Sequence, residues 1–200
     1  MSTWISKALI IIPLLVSGCV VPGPTAGVSQ GKSGAQSVVR QSLTVGGLRL
    51  VGPSGFCPLP RTQQRVAGAD FVAFAPCGGD TGAILAATIG GGGSASGITL
   101  KQSTLAPYFE TDEGKAALRG AGSRDQISVH EVADYKGAVV LRLTREAPGK
   151  GSNSWRALMQ IEGRLVTLSV RPRTGLAISG ADGRKMITRF VDAMRRANEA

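Results

Sequence analysis

The sequence predicts an α+β fold, an antiparallel sheet with a mid-chain helix and a C-terminal amphipathic helix packed on it. Three observations carry this. Apolar residues alternate with polar ones on both sides of Glu162-Gly163, between Trp155 and Arg171. Met186, Ile187, Phe190, Val191 and Met194 recur at helical spacing near the end of the chain. Between these and the N-terminal part, short apolar runs follow one another, punctuated by many of the 28 glycines.

Taken in order, the first element is an address rather than a fold. Lys7 and the amino terminus precede an apolar run, Ala8 to Val16, of about nine residues, against about 20 for a spanning helix. Small residues follow, as in an export signal. Val16-Ser17-Gly18-Cys19 resembles the processing site of bacterial lipoproteins. That resemblance implies a signal peptide over 1–18, acylation of Cys19 and membrane attachment through its acyl chains, since two or more chains anchor stably. Plain secretion with an incidental cysteine is the competing reading. In a cell with two membranes, Val20 after the cysteine favours the outer membrane, with the protein facing the periplasm, because Asp there resembles the inner-membrane retention signal. Residues 19–41 hold Pro22, Pro24 and four glycines and little that could form a core, which predicts a flexible tether. Gly31-Lys32-Ser33 lacks the first glycine of a phosphate-binding loop.

A single domain is expected over 42–200. Leu43 to Val51 reads as one strand bent at Gly46-Gly47. Pro53-Ser54-Gly55 reads as a turn, Phe71 to Ala75 as a strand, and Ala83 to Ile89 as a strand apolar enough to be buried on both faces. Ile98 to Leu100 reads as a short strand, and Thr104 to Arg119 as one helix with Pro107 near its start. Ile127 to Val132 and Gly137 to Glu146 form a hairpin. The Glu162-Gly163 turn sets the next register, with Ile161 facing Arg164, Met159 facing Val166, Ala157 facing Leu168 and Trp155 facing Val170. Arg156, Gln160, Thr167 and Ser169 then share the wetter face. The last helix runs from about Ala181 to Ala197, with Ser179 and Asp182 as a capping pair.

This order resembles the PsbP-like α/β/α sandwich over Leu48 to Phe56, Phe71 to Phe74, Trp155 to Arg171 and Phe190 to Met194. Gly52-Pro53-Ser54-Gly55-Phe56-Cys57, with the Trp155 hairpin, resembles a group of small bacterial lipoproteins without an assigned function. The PsbP-like resemblance implies a binding or assembly module, and neither resemblance supplies catalytic residues.

Of the three cysteines, the lipoprotein resemblance assigns Cys19 to lipid, which leaves Cys57 and Cys77. An even pair in an oxidising compartment predicts a disulfide. It closes about twenty residues, which stabilises by roughly 3 kcal/mol in the chain-entropy picture. The net charge is +10, and 16 of the 23 basic residues are Arg. In an envelope such charge suits anionic lipid headgroups, lipopolysaccharide or cell-wall polymer, whereas export argues against nucleic acid. Solubility alone is the competing account. Arg171, Arg173, Arg184 and Lys185 cluster around the last loop and form the candidate patch for an anionic partner.

Catalytic chemistry finds little support. His130 is the only histidine, so a histidine metal cluster is excluded, and no Gly-x-Ser-x-Gly elbow accompanies it. Glu110, Asp112 and Glu113 are the one acidic cluster, and they lie on a solvated helix. No cofactor fingerprint occurs; the Gly90 to Gly93 run lacks the dinucleotide spacing. The expectation is a non-enzymatic, lipid-anchored module of the cell envelope, whose partner is an anionic polymer or another envelope protein. The alternative is a cell-wall or lipid hydrolase in which Glu110, Glu131 or Asp134 converges with His130.

Overall fold

The computed structural model describes residues 42–78, 82–119, 123–147 and 150–199. The expected signal peptide, Cys19 and the expected tether lie outside them.

Ten strands form in chain order: β1 (Leu43–Val45), β2 (Leu48–Leu50), β3 (Phe56–Pro58), β4 (Gln64–Val66), β5 (Ala69–Pro76), β6 (Ala83–Ile89), β7 (Gln126–Tyr135), β8 (Ala138–Ala147), β9 (Lys150–Ile161) and β10 (Arg164–Pro172). Among the described residues a short 3-10 helix (Pro60–Thr62) and three α-helices interrupt or follow them: α1 (Gln102–Glu110), α2 (Asp112–Arg119) and α3 (Gly180–Asn198). Eight strands make one antiparallel sheet in the order β3-β5-β6-β10-β9-β8-β7, with β4 also pairing β5. Residues Asp70 and Phe71 pair with β4 and with β6, so β4 shares the β3 edge.

Among the described residues, four hairpin turns have two residues: Gly46-Gly47, Ala67-Gly68, Lys136-Gly137 and Glu162-Gly163. In each, both residues have positive φ, from 47° to 90°, and the second is Gly. This backbone twist matches that of paired strands, which is why such turns lock register. The β9–β10 register is the one expected from the sequence, Ile161 opposite Arg164 through Trp155 opposite Val170. Gly46-Gly47, read from sequence as a bend in one strand, is instead the turn of a separate two-stranded sheet, β1–β2. Two successive left-handed residues reverse the chain rather than bend it.

Three other expectations need correction. Ile98 to Leu100 is not a strand. Both edges of β6 are already taken, by β5 and β10, so this three-residue segment has no strand to join there. The helix expected over Thr104 to Arg119 is two helices, broken at Thr111, whose backbone is extended (ψ 158°). Thr111 Oγ1 accepts the Gly114 N–H at 3.0 Å, which starts α2. The break folds α2 back on α1 so closely that a Cβ on Gly114 would sit 2.1 Å from the Tyr108 carbonyl. Because α1 begins at Gln102, Pro107 is inside it and not in its first turn. Finally, β6 is not buried on both faces, since Ile84 is 41 % exposed.

The sheet has a core on each face. On one, α3 lies over β8, β9 and β10 and meets β2. Val72, Phe74, Leu85, Ile89, Trp155, Met159, Val166, Leu168 and Val170 pack there against Ile187, Phe190, Val191 and Met194. Phe190 meets Phe74 edge-on, with ring centroids 5.1 Å apart. Ser179 caps α3 by accepting the Asp182 N–H at 3.1 Å, as its sequence predicts. At the other end, the Asn198 amide closes on the backbone of Arg49, accepting its N–H at 2.8 Å and donating to its carbonyl at 2.9 Å. Cys57 and Cys77 are joined in a disulfide that ties β3 to the end of β5, with Cα atoms 5.1 Å apart.

On the opposite face α1 and α2 pack on β7, and Leu105, Phe109 and Leu118 bury Ile127, Val139, Leu141 and Leu143. Seven strands side by side span about 30 Å, and two helices of nine and eight residues roof only part of that. The part over β5, β6, β10 and half of β9 has no helix above it among the described residues.

Candidate functional site

The unroofed half of the sheet is where the fold leaves unusual chemistry. Strand alternation places Arg156, Thr167, Ser169 and Arg171 there, because Trp155, Val166, Leu168 and Val170 point to α3. Register then sets their neighbours. Arg156 stands opposite Ser169, and Ser169 opposite Ala86. Thr167 stands opposite Thr88, and Thr88 opposite Phe71. Ala73 and Ala86 lie on the same face and are buried. Their methyl groups lower the floor between the longer side chains. The result is a cleft of about 300 Å³ lined by Phe71, Thr88, Arg145, Ser154, Arg156, Thr167, Ser169 and Arg171.

Three guanidinium groups therefore face one concavity, together with four hydroxyls. Arg145 enters from β8 and is held from behind. It donates to Asp125 Oδ2 at 2.8 Å, to Ser123 Oγ at 3.4 Å and to the Arg119 carbonyl at the end of α2 at 3.3 Å. The hydrogen bonds from Arg145 and Ser123 hold the Asp125 carboxyl below its usual range. Arg156 and Arg171 have no carboxylate partner among the described residues. Arg156 is the more enclosed. Burial, then the charges of Arg145 and Arg171, push its guanidinium down to about 10, so it stays charged at neutral pH. Arg171 is more open to solvent and is lowered by partial burial first and by Arg145 second. Like charges gathered without counter-ions raise the free energy of the folded chain. They persist in folded proteins where an anion is to be bound, and an arginine fork fits an oxyanion in two-point contact.

The four residues expected to form one basic patch are not all on one element. Arg171 is in the cleft, whereas Arg184 and Lys185 are on α3, which packs on the other face. Arg184 is ion-paired with Glu131. Arg173 follows β10, and its backbone N–H bonds the Gly82 carbonyl. Strand alternation places Arg156 on the wetter face without marking it as a site, and no sequence pattern singles out Arg145. The signal for Arg156 was there: the turn at Glu162-Gly163 puts Arg156, Thr167, Ser169 and Arg171 on one face with no acidic residue among them. Arg145 reaches them only through pairing of β8 with β9.

The residues of the hydrolase alternative point different ways. His130 is the extra residue of a bulge in β7, exposed, and in contact with Thr144 Oγ1 at 2.7 Å. Glu131 turns to Arg184 on the α3 side. Asp134 turns to the α1 side, where its Oδ1 accepts the Gln102 N–H at 2.7 Å. Glu110 is exposed at the end of α1. No protein-family model matches the chain, and no curated protein matches it.

Proposed function

We propose that this chain is a lipid-anchored module of the cell envelope that holds an anionic envelope component against the open half of its sheet, by binding and without catalysis. The single observation that supports it best is the cleft in which Arg156 and Arg171 have no carboxylate partner among the described residues. The lipoprotein-like motif ending at Cys19 and the following tether would set that cleft a short distance from the bilayer. The net charge of +10 would draw anionic polymer or headgroups toward it. Among the described residues no helix is long and apolar enough to cross a membrane; on this reading Cys19 is the point of attachment.

Two experiments test this. Metabolic acyl labelling should mark the protein and should vanish in Cys19→Ala. Anionic envelope polymer should copurify with the anchored protein, wash off as salt rises, and be lost in Arg156→Gln/Arg171→Gln. Unlabelled wild-type protein would overturn the anchoring, and copurification indifferent to both salt and the double substitution would overturn the binding face.

A further inference from the structure

The cleft carries more than a preference for negative charge. Its three guanidinium groups bring three positive charges, and Asp125 offsets one of them through Arg145 at 2.8 Å. Two charges remain, on Arg156 and Arg171. A carboxylate or a phosphodiester, each with one negative charge, would leave one of these uncompensated in a partly desolvated site. A phosphomonoester carries a charge of about −1.5 to −2 at pH 7 and has three free terminal oxygens. The hydroxyls of Thr88, Ser154, Thr167 and Ser169 line the same cleft and can donate to oxygens that the guanidinium groups leave open. The geometry also fixes an approach. Arg145 is immobilised by Asp125, Ser123 and the α2 carboxyl end, while Arg171, near the end of β10, is open to solvent. The exposed apolar Ile84 stands opposite Arg171 on β6, so the carbon substituent of an ester has an apolar neighbour at the mouth.

We infer that the cleft between Arg145, Arg156 and Arg171 is a binding site for the terminal phosphate of a phosphomonoester. This rests on the reading of the open face as the binding surface and names the group that is recognised.

The test uses the full chain in detergent, titrated with phenyl phosphate, dimethyl phosphate and acetate. Phenyl phosphate should bind one per chain, and dimethyl phosphate and acetate about tenfold or more weakly, as expected when a charge-assisted contact is lost. Arg171→Gln, at an open position that leaves the core untouched, should weaken phenyl phosphate about tenfold or more. Thr188→Ala on α3 should not. No binding of phenyl phosphate up to about 10 mM would overturn the inference. So would equal affinity for acetate or dimethyl phosphate, or an unchanged affinity in Arg171→Gln. A second arm separates sources, using full-length Cys19→Ala and vesicles containing phosphatidic acid or phosphatidylglycerol. Recruitment by the monoester lipid over the diester lipid identifies a lipid headgroup. Phenyl phosphate binding without such recruitment identifies a soluble or polymer-borne monoester. If anionic polymer still copurifies through Arg156 and Arg171 while phenyl phosphate fails to bind, only the phosphomonoester assignment falls.

Discussion

At Arg171 the demands of binding and of stability oppose each other. Burial and the neighbouring Arg145 both disfavour its charge, so the folded chain gains nothing from it in the absence of an anion. Arg171→Gln should leave unfolding free energy within about 0.5 kcal/mol of the parent, or raise it, while anion binding falls; chemical denaturation without added anion checks this. Gly183 shows the opposite case, where a residue exists only for packing. A Cβ there would lie 2.2 Å from Trp155 Nε1 and 2.3 Å from its Cδ1. Alanine is favoured over glycine in a helix by about 1 kcal/mol, but here the indole has no room to retreat into a packed core. Gly183→Ala should therefore cost about 1–3 kcal/mol in urea denaturation. Gly180→Ala, whose Cβ would meet only the flexible end of Arg142 at 3.4 Å, should stay within about 0.5 kcal/mol of the parent.

At the scale of elements, the helices are fastened by single side chains from distant strands. Lys101, which precedes α1, offers no side-chain cap. Asp134 supplies it from β7, accepting the Gln102 N–H at 2.7 Å. Asp134→Ala should cost about 1 kcal/mol and speed amide exchange in the first turn of α1 ahead of the sheet. Helix α3 is clipped to the β7–β8 turn through Asp192, which accepts from Tyr135 Oη at 3.0 Å and Lys136 Nζ at 2.9 Å. Burial alone would raise the Asp192 carboxyl, but the hydrogen bonds from Lys136 and Tyr135 outweigh it and the net shift is downward. The Lys136 ammonium is raised, first by its bond to Asp192 and then by Tyr135. The carboxylate contribution is complete above about pH 4 and is lost as pH falls through the depressed folded value. The ammonium contribution is complete below about pH 10 and is lost as pH rises through the elevated one. The stability difference between wild type and Asp192→Asn should accordingly be flat between about pH 5 and 9 and shrink at both ends, measured as urea midpoints across pH.

For the whole molecule, the disulfide guards the weakest border of the sheet. Strands β3 and β4 have three residues each and share one edge of β5, whereas β7 to β10 have nine to twelve. Joining Cys57 to Cys77 fixes that short edge to the end of β5. Cys57→Ser/Cys77→Ser should lower unfolding free energy by about 3 kcal/mol, and thiol titration of the unfolded wild type without reductant should show neither cysteine free. The same view explains the location of the cleft. One face is sealed by the nineteen-residue α3, and the other is only half covered because Thr111 and Gly114 fold its helical segment into two short pieces.

Local pattern determined much of this protein. The alternation around Glu162-Gly163 and the spacing from Met186 to Met194 specified the central hairpin, its register and α3, because each is a contest between neighbours in sequence. The pairing of Cys57 with Cys77 followed from counting cysteines in the expected compartment. Where sequence reasoning failed, the deciding partner was remote. Gly46-Gly47 forms a hairpin that packs on α3, the helix breaks where Gly114 meets Tyr108, and Ile98 to Leu100 follows a strand, β6, whose two edges are already paired. The arginine cleft belongs to the same class. Arg145, Arg156 and Arg171 come from three strands, and only the pairing of β8 with β9 and β9 with β10 gathers them. Strand order is a long-range choice made by the whole sheet, and the charge that it concentrates is invisible in any one segment.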